Sequence, residues 1–187
     1  MSGERNIYLI GARASGKTTL GRKLAARLKR PFVDTDLRVR LLTGKTVAEL
    51  VDEGGWEAFR DAESHVLEDI AVFSGQVVSC GGGMVLRQEN RAHLATGIVL
   101  YLKASAEVLA GRLERNPLEA QRPSLTGGGV VDEIRQVLAE RGAVYLSCAH
   151  AVLPAEAPLE ELVELALAEI GRQGGLGPAV AGRGRIS

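Results

Sequence analysis

The stretch Gly11–Thr19 reads Gly-Ala-Arg-Ala-Ser-Gly-Lys-Thr-Thr and fits the pattern G-x-x-x-x-G-K-[ST]. The apolar run Ile7–Ile10 leads into it, and Leu20, Leu24 and Leu28 lead out at helical spacing, so the motif has the strand–loop–helix setting it requires. The glycines let the backbone curl so that its N–H groups point inward at phosphate oxygens, and the helix N-terminus adds partial positive charge. Gly11, Ala12, Arg13, Ala14, Ser15, Gly16, Lys17, Thr18 and Thr19 therefore form a candidate nucleotide-binding segment. Within it the Lys17 ammonium suits the β- and γ-phosphates, and the Thr18 hydroxyl suits Mg²⁺. The plainer alternative is a glycine-rich turn with a solvated lysine. Strand, loop and helix together argue against it.

Further carboxylates, arginines and glycines fall where such a site needs them. Asp34-Thr35-Asp36 follows the second apolar run. Two carboxylates one residue apart repel each other unless a cation or donor compensates. Asp34 suits Mg²⁺, which takes few carboxylates and keeps several waters, and Asp36 suits orientation or deprotonation of an acceptor hydroxyl. Capping of a helix beginning at Leu37 accounts for one aspartate but not both. Arg60 and Glu63 are i,i+3 neighbours, so that one can orient the other, although a surface salt bridge is the simpler reading of the pair alone. Gly81-Gly82-Gly83 ends the third apolar run and marks a place where a ligand approaches the backbone closely.

The segment 116–129 lacks periodicity, ends in three glycines and holds Arg122. It suits a lid that excludes water and brings a cation to the transferring phosphoryl group, against the alternative of a plain disordered connector. Arg112 and Arg115 precede it, and one of them is placed to stack on adenine. Arg141 and Tyr145 share a helix face after it.

These residues need elements to hold them. Ile7–Ile10, Phe32–Asp34, Val77–Cys80, Ile98–Leu102 and Ala151–Leu153 read as strands. Helices are expected after the phosphate loop and over Thr46–Val51, Trp56–Phe73, Arg87–Leu94, Ala106–Arg115, Val131–Tyr145 and Leu159–Ile170. Thr46 with Glu49 forms the pattern of a capping box. This alternation predicts an α/β fold with a parallel sheet between helical layers, whose ligands sit at the carboxyl ends of the strands. One domain over 1–170 is expected, followed by a disordered Gly/Arg-containing tail over 171–187.

Composition narrows the function classes. Lys plus Arg equals Asp plus Glu at 23 each, so no global charge invites nucleic acid or an anionic membrane. No run is long enough to span a bilayer, and Met1–Asn6 is too short and polar for a signal peptide. Cys80 and Cys148 give neither a disulfide framework nor zinc spacing. A cytoplasmic protein is expected, and His65, His93 and His150 show no metal-ligand spacing.

Taken together, the set resembles the shikimate kinases, small P-loop kinases of the nucleoside-monophosphate-kinase type. The resemblance rests on Gly11–Thr18, Phe32-Val-Asp-Thr-Asp36, Phe59-Arg60-Asp-Ala-Glu63, Gly81–Gly83, Arg122-Pro123, and Glu140-Arg141 followed by Tyr145. It implies a three-layer αβα fold with a central five-stranded parallel sheet, a lid and a substrate-binding helical region. It also implies transfer of the γ-phosphoryl of ATP to the 3-hydroxyl of shikimate with Mg²⁺, in chorismate and aromatic amino acid biosynthesis. By position, Asp36 holds the hydroxyls and acts as base, and Arg60 and Arg141 grip the carboxylate. Gly81, Gly82 and Gly83 let the ring lie close, Lys17 and Arg122 neutralise the phosphoryl group, and Thr18 and Asp34 manage Mg²⁺. Ala14 departs from a glycine common in the family, with a subtle effect expected, and Arg13 is a charge some members lack. The competing expectations are a gluconate-kinase-like enzyme on the same scaffold and a non-catalytic ATP-binding module. The presence of Lys17, Asp36 and Arg122 argues against the second.

Overall fold

A computed structural model describes residues 4–115 and 129–174. Its centre is a five-stranded sheet in the order β2-β3-β1-β4-β5, with every pairing parallel. The strands are β1 (Ile7–Ile10), β2 (Phe32–Asp34), β3 (Val77–Ser79), β4 (Ile98–Lys103) and β5 (Ala151–Pro154). The helices are α1 (Lys17–Leu28), α2 (Thr35–Thr43), α3 (Val47–Ala71), α4 (Gln88–Leu94), α5 (Ala106–Arg115), α6 (Val130–Cys148) and α7 (Leu159–Arg172). A single 3-10 turn, Met84–Leu86, follows β3.

Strand alternation sorts the apolar residues into two cores. Ile7, Leu9, Ile98, Leu100 and Leu102 face one side, where α1, α5 and α7 bring Leu24, Leu109 and Val163. Tyr8, Ile10, Val99 and Tyr101 face the other, where α3, α4 and α6 bring Leu67, Leu94 and Tyr145. Covering both faces with helices is what lets β1 and β4 read as continuous apolar runs. β1 and β3 are neighbours, and the connection after β1 runs to β2 while the connection after β3 runs to β4, so the two part in opposite directions and open a crevice beyond their carboxyl ends.

Local chemistry explains most boundaries. Thr46 and Glu49 form the expected capping box: Thr46 Oγ1 accepts the Glu49 N–H at 3.2 Å, and Glu49 Oε2 accepts the Thr46 N–H at 2.7 Å. The two helical runs expected on either side of Gly54-Gly55 join into α3, bent at Gly55, whose φ of 72° and ψ of 179° are not helical. Only glycine takes that conformation without a steric cost, so the sequence break becomes a kink rather than a loop. Helix α2 begins at Thr35, not Leu37, because the Asp34 side chain already caps it. Helix α7 runs to Arg172, so it includes the first two residues of the expected tail, and 175–187 lie outside the described residues. The proposed lid lies outside them too, except Gly129, which precedes α6. Among the described residues no helix is long and apolar enough to cross a membrane.

Candidate active site

The loop after β1 wraps around its own lysine. Lys17 Nζ donates to Gly11 O at 2.9 Å, Ala12 O at 2.7 Å and Ser15 Oγ at 3.3 Å. Gly11 at φ 142° and Gly16 at φ 93° supply the turns. Ala14 also sits in the left-handed region, at φ 58°, where a side chain is disfavoured. Thr18 lies in the first turn of α1, and its Oγ1 donates to Asp34 Oδ2 at 2.9 Å and lies 3.3 Å from Ser79 Oγ. Asp34 Oδ1 meanwhile accepts the Asp36 and Leu37 N–H groups at 3.1 and 3.3 Å. Asp34 therefore caps α2 and faces the phosphate loop at once. Three hard oxygen donors from α1, β2 and β3 converge here, a set suited to Mg²⁺ completed by water and phosphate. Among the described residues there is no cluster of three or more His, Cys, Asp or Glu that could hold a metal ion.

That cleft is lined by Arg13, Lys17, Thr18, Thr19, Asp34 and Asp36, with Ala14, Gly16, Ser79 and Gly82 completing it. A second cleft adjoins it, and Arg13 and Gly82 line both. The floor of the second is the glycine turn after β3, with Gly82 and Gly83 lining it. A Cβ on Gly81 would collide with Glu63 Oε1 and come within 3.0 Å of Asp36 Oδ1, so a larger residue there would have to displace the Glu63 carboxylate. The walls carry Arg60 and Glu63 from α3 and Arg141 from α6, backed by Trp56, Phe59 and Leu86. Arg141 is 8% exposed and its Nη1 donates to Gly82 O at 3.2 Å. Its Nε is buried without a hydrogen-bond partner among the described residues.

Most of the sequence-derived residues thus meet around two adjoining clefts. Arg60 is in place, but its ion pair runs to Glu57 at 2.8 Å, one turn back, while Glu63 is buried under the glycine turn. Arg112 lies behind the phosphate loop: Nη1 donates to Ala14 O at 3.2 Å and Nη2 to Ala155 O at 2.6 Å. Arg122 lies outside the described residues. One site residue, Ser79, escaped the sequence reading, and Tyr145 entered it only as a residue sharing a helix face with Arg141 and following it in the family pattern, with no role assigned. Ser79 is the last residue of β3 and pairs in register with Asp34, so strand ends rather than strand successors would have shown it. Tyr145 donates its hydroxyl to Gly82 O at 2.6 Å. Burial pushes its pKa up to about 12.

Comparison with known proteins shows the family. The family model described as "Shikimate kinase" matches residues 13–170. The shikimate kinase of Nitratidesulfovibrio vulgaris is 51% identical over 159 residues, covering 84% of this chain and 91% of that protein. The structure of "Shikimate kinase from Acinetobacter baumannii in complex with shikimate" superposes with a TM-score of 0.84 at 32% identity, covering 90% of this chain and 94% of that one. A gluconokinase from Sinorhizobium meliloti superposes with a TM-score of 0.56 at 21% identity over 92% of this chain and 95% of that one, and so shares the fold alone.

Proposed function

The chain belongs to the shikimate kinase family, and from that premise we infer that it transfers the γ-phosphoryl group of ATP to the 3-hydroxyl of shikimate. The products are shikimate 3-phosphate and ADP, and the reaction serves chorismate and aromatic amino acid biosynthesis. The observation that carries this reading at the level of residues is the cleft that Arg60, Arg141, Gly82 and Gly83 line together, which shares Arg13 and Gly82 with the cleft of the phosphate loop. A planar carboxylate bound there by Arg141 and Arg60 leaves the rest of a small ring over the glycine turn, near Asp36.

In this reading Asp36 orients the acceptor hydroxyl and takes its proton as the bond to phosphorus forms. Lys17 moves its donors from the loop carbonyls to the phosphates. The N–H groups from Ala12 to Thr19 cradle those phosphates, so the main work is placement and neutralisation of charge in a loose transition state. Thr18 and Asp34 would hold Mg²⁺, with Ser79 beside them. When bound, the ion would offset the charge of the phosphates. Arg112 flanks the loop on the side of the β5–α7 turn, where its guanidinium face suits an adenine ring. Arg122, assigned from the family pattern, brings a further cation to the phosphoryl group. The catalytic domain spans 1–170 with 116–129 as its lid, and the reaction is cytoplasmic, in keeping with the free thiols Cys80 and Cys148.

The test is ADP release from Mg²⁺-ATP, with shikimate, gluconate, AMP or no acceptor in parallel. Release that depends on shikimate alone is expected. Release with gluconate alone would return the pocket residues for reassignment, and binding of ATP without release would favour a non-catalytic module.

A further inference from the structure

Gly81, Gly82, Gly83 and Met84 form a β-turn closed by the Met84 N–H on Gly81 O at 3.0 Å. Gly83, its third residue, has φ −91° and ψ −6°, the values of a type I turn. A glycine at this position also accepts φ of about +80°, which gives a type II turn. The two types differ by a flip of the peptide that joins the second and third residues. In the pair Gly82-Gly83 neither residue has a Cβ to favour one state.

The choice is made from outside the turn. The carbonyl of that peptide, Gly82 O, accepts the Tyr145 hydroxyl at 2.6 Å and Arg141 Nη1 at 3.2 Å. Both donors come from α6, one helical turn apart. Tyr145 is fully buried, and its ring stacks on Tyr101 with centroids 5.1 Å apart and 26° between planes. Its hydroxyl is protonated at neutral pH, as an ordinary tyrosine is, and burial raises its pKa further. The peptide is planar and trans, so its N–H, that of Gly83, points to the opposite side from this carbonyl.

We propose that Tyr145 is a positioning residue for the acceptor substrate: its hydroxyl locks the Gly82–Gly83 peptide in one of two flip states, fixing the direction of the Gly83 N–H beside the Arg141 pocket. A flipped peptide would put a carbonyl oxygen where a hydroxylated, anionic ligand needs a donor, and would release Arg141 Nη1 from its anchor. The proposal rests on the reading that shikimate occupies this pocket.

Tyr145→Phe tests it, since it removes the hydroxyl and keeps the stacked ring. KM for shikimate should rise about five- to tenfold, while kcat and KM for ATP stay within about twofold. The same substitution is then made in a Gly83→Ala background. Alanine resists positive φ and so holds the type I turn by itself, and its Cβ would lie an ordinary 3.4 Å from Glu63 Oε2. In that background the loss of the hydroxyl should raise KM for shikimate by less than about twofold, a coupling that a purely packing role of Tyr145 would not produce. An unchanged KM for shikimate in Tyr145→Phe, an equal rise in KM for ATP, or the same cost in both backgrounds would overturn the proposal. Absence of wild-type turnover on shikimate would overturn the substrate reading with it, whereas wild-type turnover with unaltered Tyr145→Phe kinetics would remove this proposal alone.

Discussion

Thr18 Oγ1 donates to Asp34 Oδ2 at 2.9 Å while the other oxygen of the same carboxylate accepts the Asp36 and Leu37 N–H groups. One side chain therefore ties the helix of the phosphate loop to the start of α2, the helix that carries Asp36. The two duties separate by substitution. Asp34→Asn keeps a capping oxygen and loses the charge, so stability should change by less than about 0.5 kcal/mol, whereas Asp34→Ala should cost about 1 kcal/mol. Both should lower turnover by more than about tenfold and raise the Mg²⁺ concentration needed for half activity. Urea unfolding and Mg²⁺ titration of activity measure the two effects, and a fully active Asp34→Asn would remove the carboxylate from the metal site.

Lys17 holds its own loop through Gly11 O, Ala12 O and Ser15 Oγ before it meets any phosphate. Lys17→Met should therefore do two things. Turnover should fall by at least about a hundredfold, as for loss of one donor to a developing charge. The unliganded protein should also lose about 1 kcal/mol, the net value of an intramolecular hydrogen bond. Steady-state kinetics and thermal unfolding without nucleotide separate these effects. Retained turnover would end the assignment of this lysine.

What was legible in the sequence is what local chemistry determines. β1 and β2 fall on the expected residues because Gly11 and Asp34 end them with a phosphate loop and a helix cap. Helix ends depend on distant partners. α6 continues past Tyr145 to Cys148 because Val144 and Cys148 still pack on the second core. The phosphate loop could be read as a string, but Ser79 enters the site through its register with Asp34, and Tyr145 through its stacking on Tyr101. Spacing alone could not decide the partner of Arg60, which has carboxylates at both i−3 and i+3. Arg87 decides it from another element, holding Glu57 at 3.0 Å and Asp61 at 2.6 Å on the face where Arg60 joins them.

The two pocket arginines differ in setting, and their variants should differ too. The Arg60 side chain is 29% exposed and shares Glu57 with Arg87, whereas Arg141 is 8% exposed and anchored on Gly82 O. A charge-assisted bond made in a drier place is worth more. Arg60→Ala should raise KM for shikimate about tenfold and Arg141→Ala about a hundredfold, with KM for ATP within about threefold for both. An effect confined to ATP would place the acceptor elsewhere.

Ala14 carries a backbone strain that a glycine would relieve. At φ 58° its Cβ crowds the following carbonyl, a cost of about 1–2 kcal/mol, which the extra freedom of unfolded glycine offsets in part by about 0.5–1 kcal/mol. Ala14→Gly should be neutral or stabilising by up to about 1 kcal/mol, and Ala14→Val should destabilise. Arg112 holds the Ala14 carbonyl, so the loop should keep its shape and ATP kinetics should change little in Ala14→Gly. Urea midpoints decide the matter: a clear loss of stability in Ala14→Gly would mean that the methyl group packs rather than strains.

Cys80 gives the fold an alkaline limit. Its side chain lies between β3 and the second core, and burial pushes its thiol far above the usual range; Tyr145 is raised for the same reason. For a group whose folded pKa is raised, stability is fully present below the unfolded pKa and is lost as pH rises above it, because only the unfolded chain can release the proton. The urea midpoint should therefore be flat near neutrality and fall above about pH 8.5, where an unfolded cysteine ionises. Cys80→Ala should be less stable at neutral pH through its cavity, yet its midpoint should fall less steeply between pH 8.5 and 10. Thiol labelling gives an independent check: in the native protein Cys148, which is partly exposed, should react first, and Cys80 only as the chain unfolds. Parallel alkaline slopes for the two proteins, or fast native labelling of both thiols, would show that Cys80 is reached by solvent without unfolding.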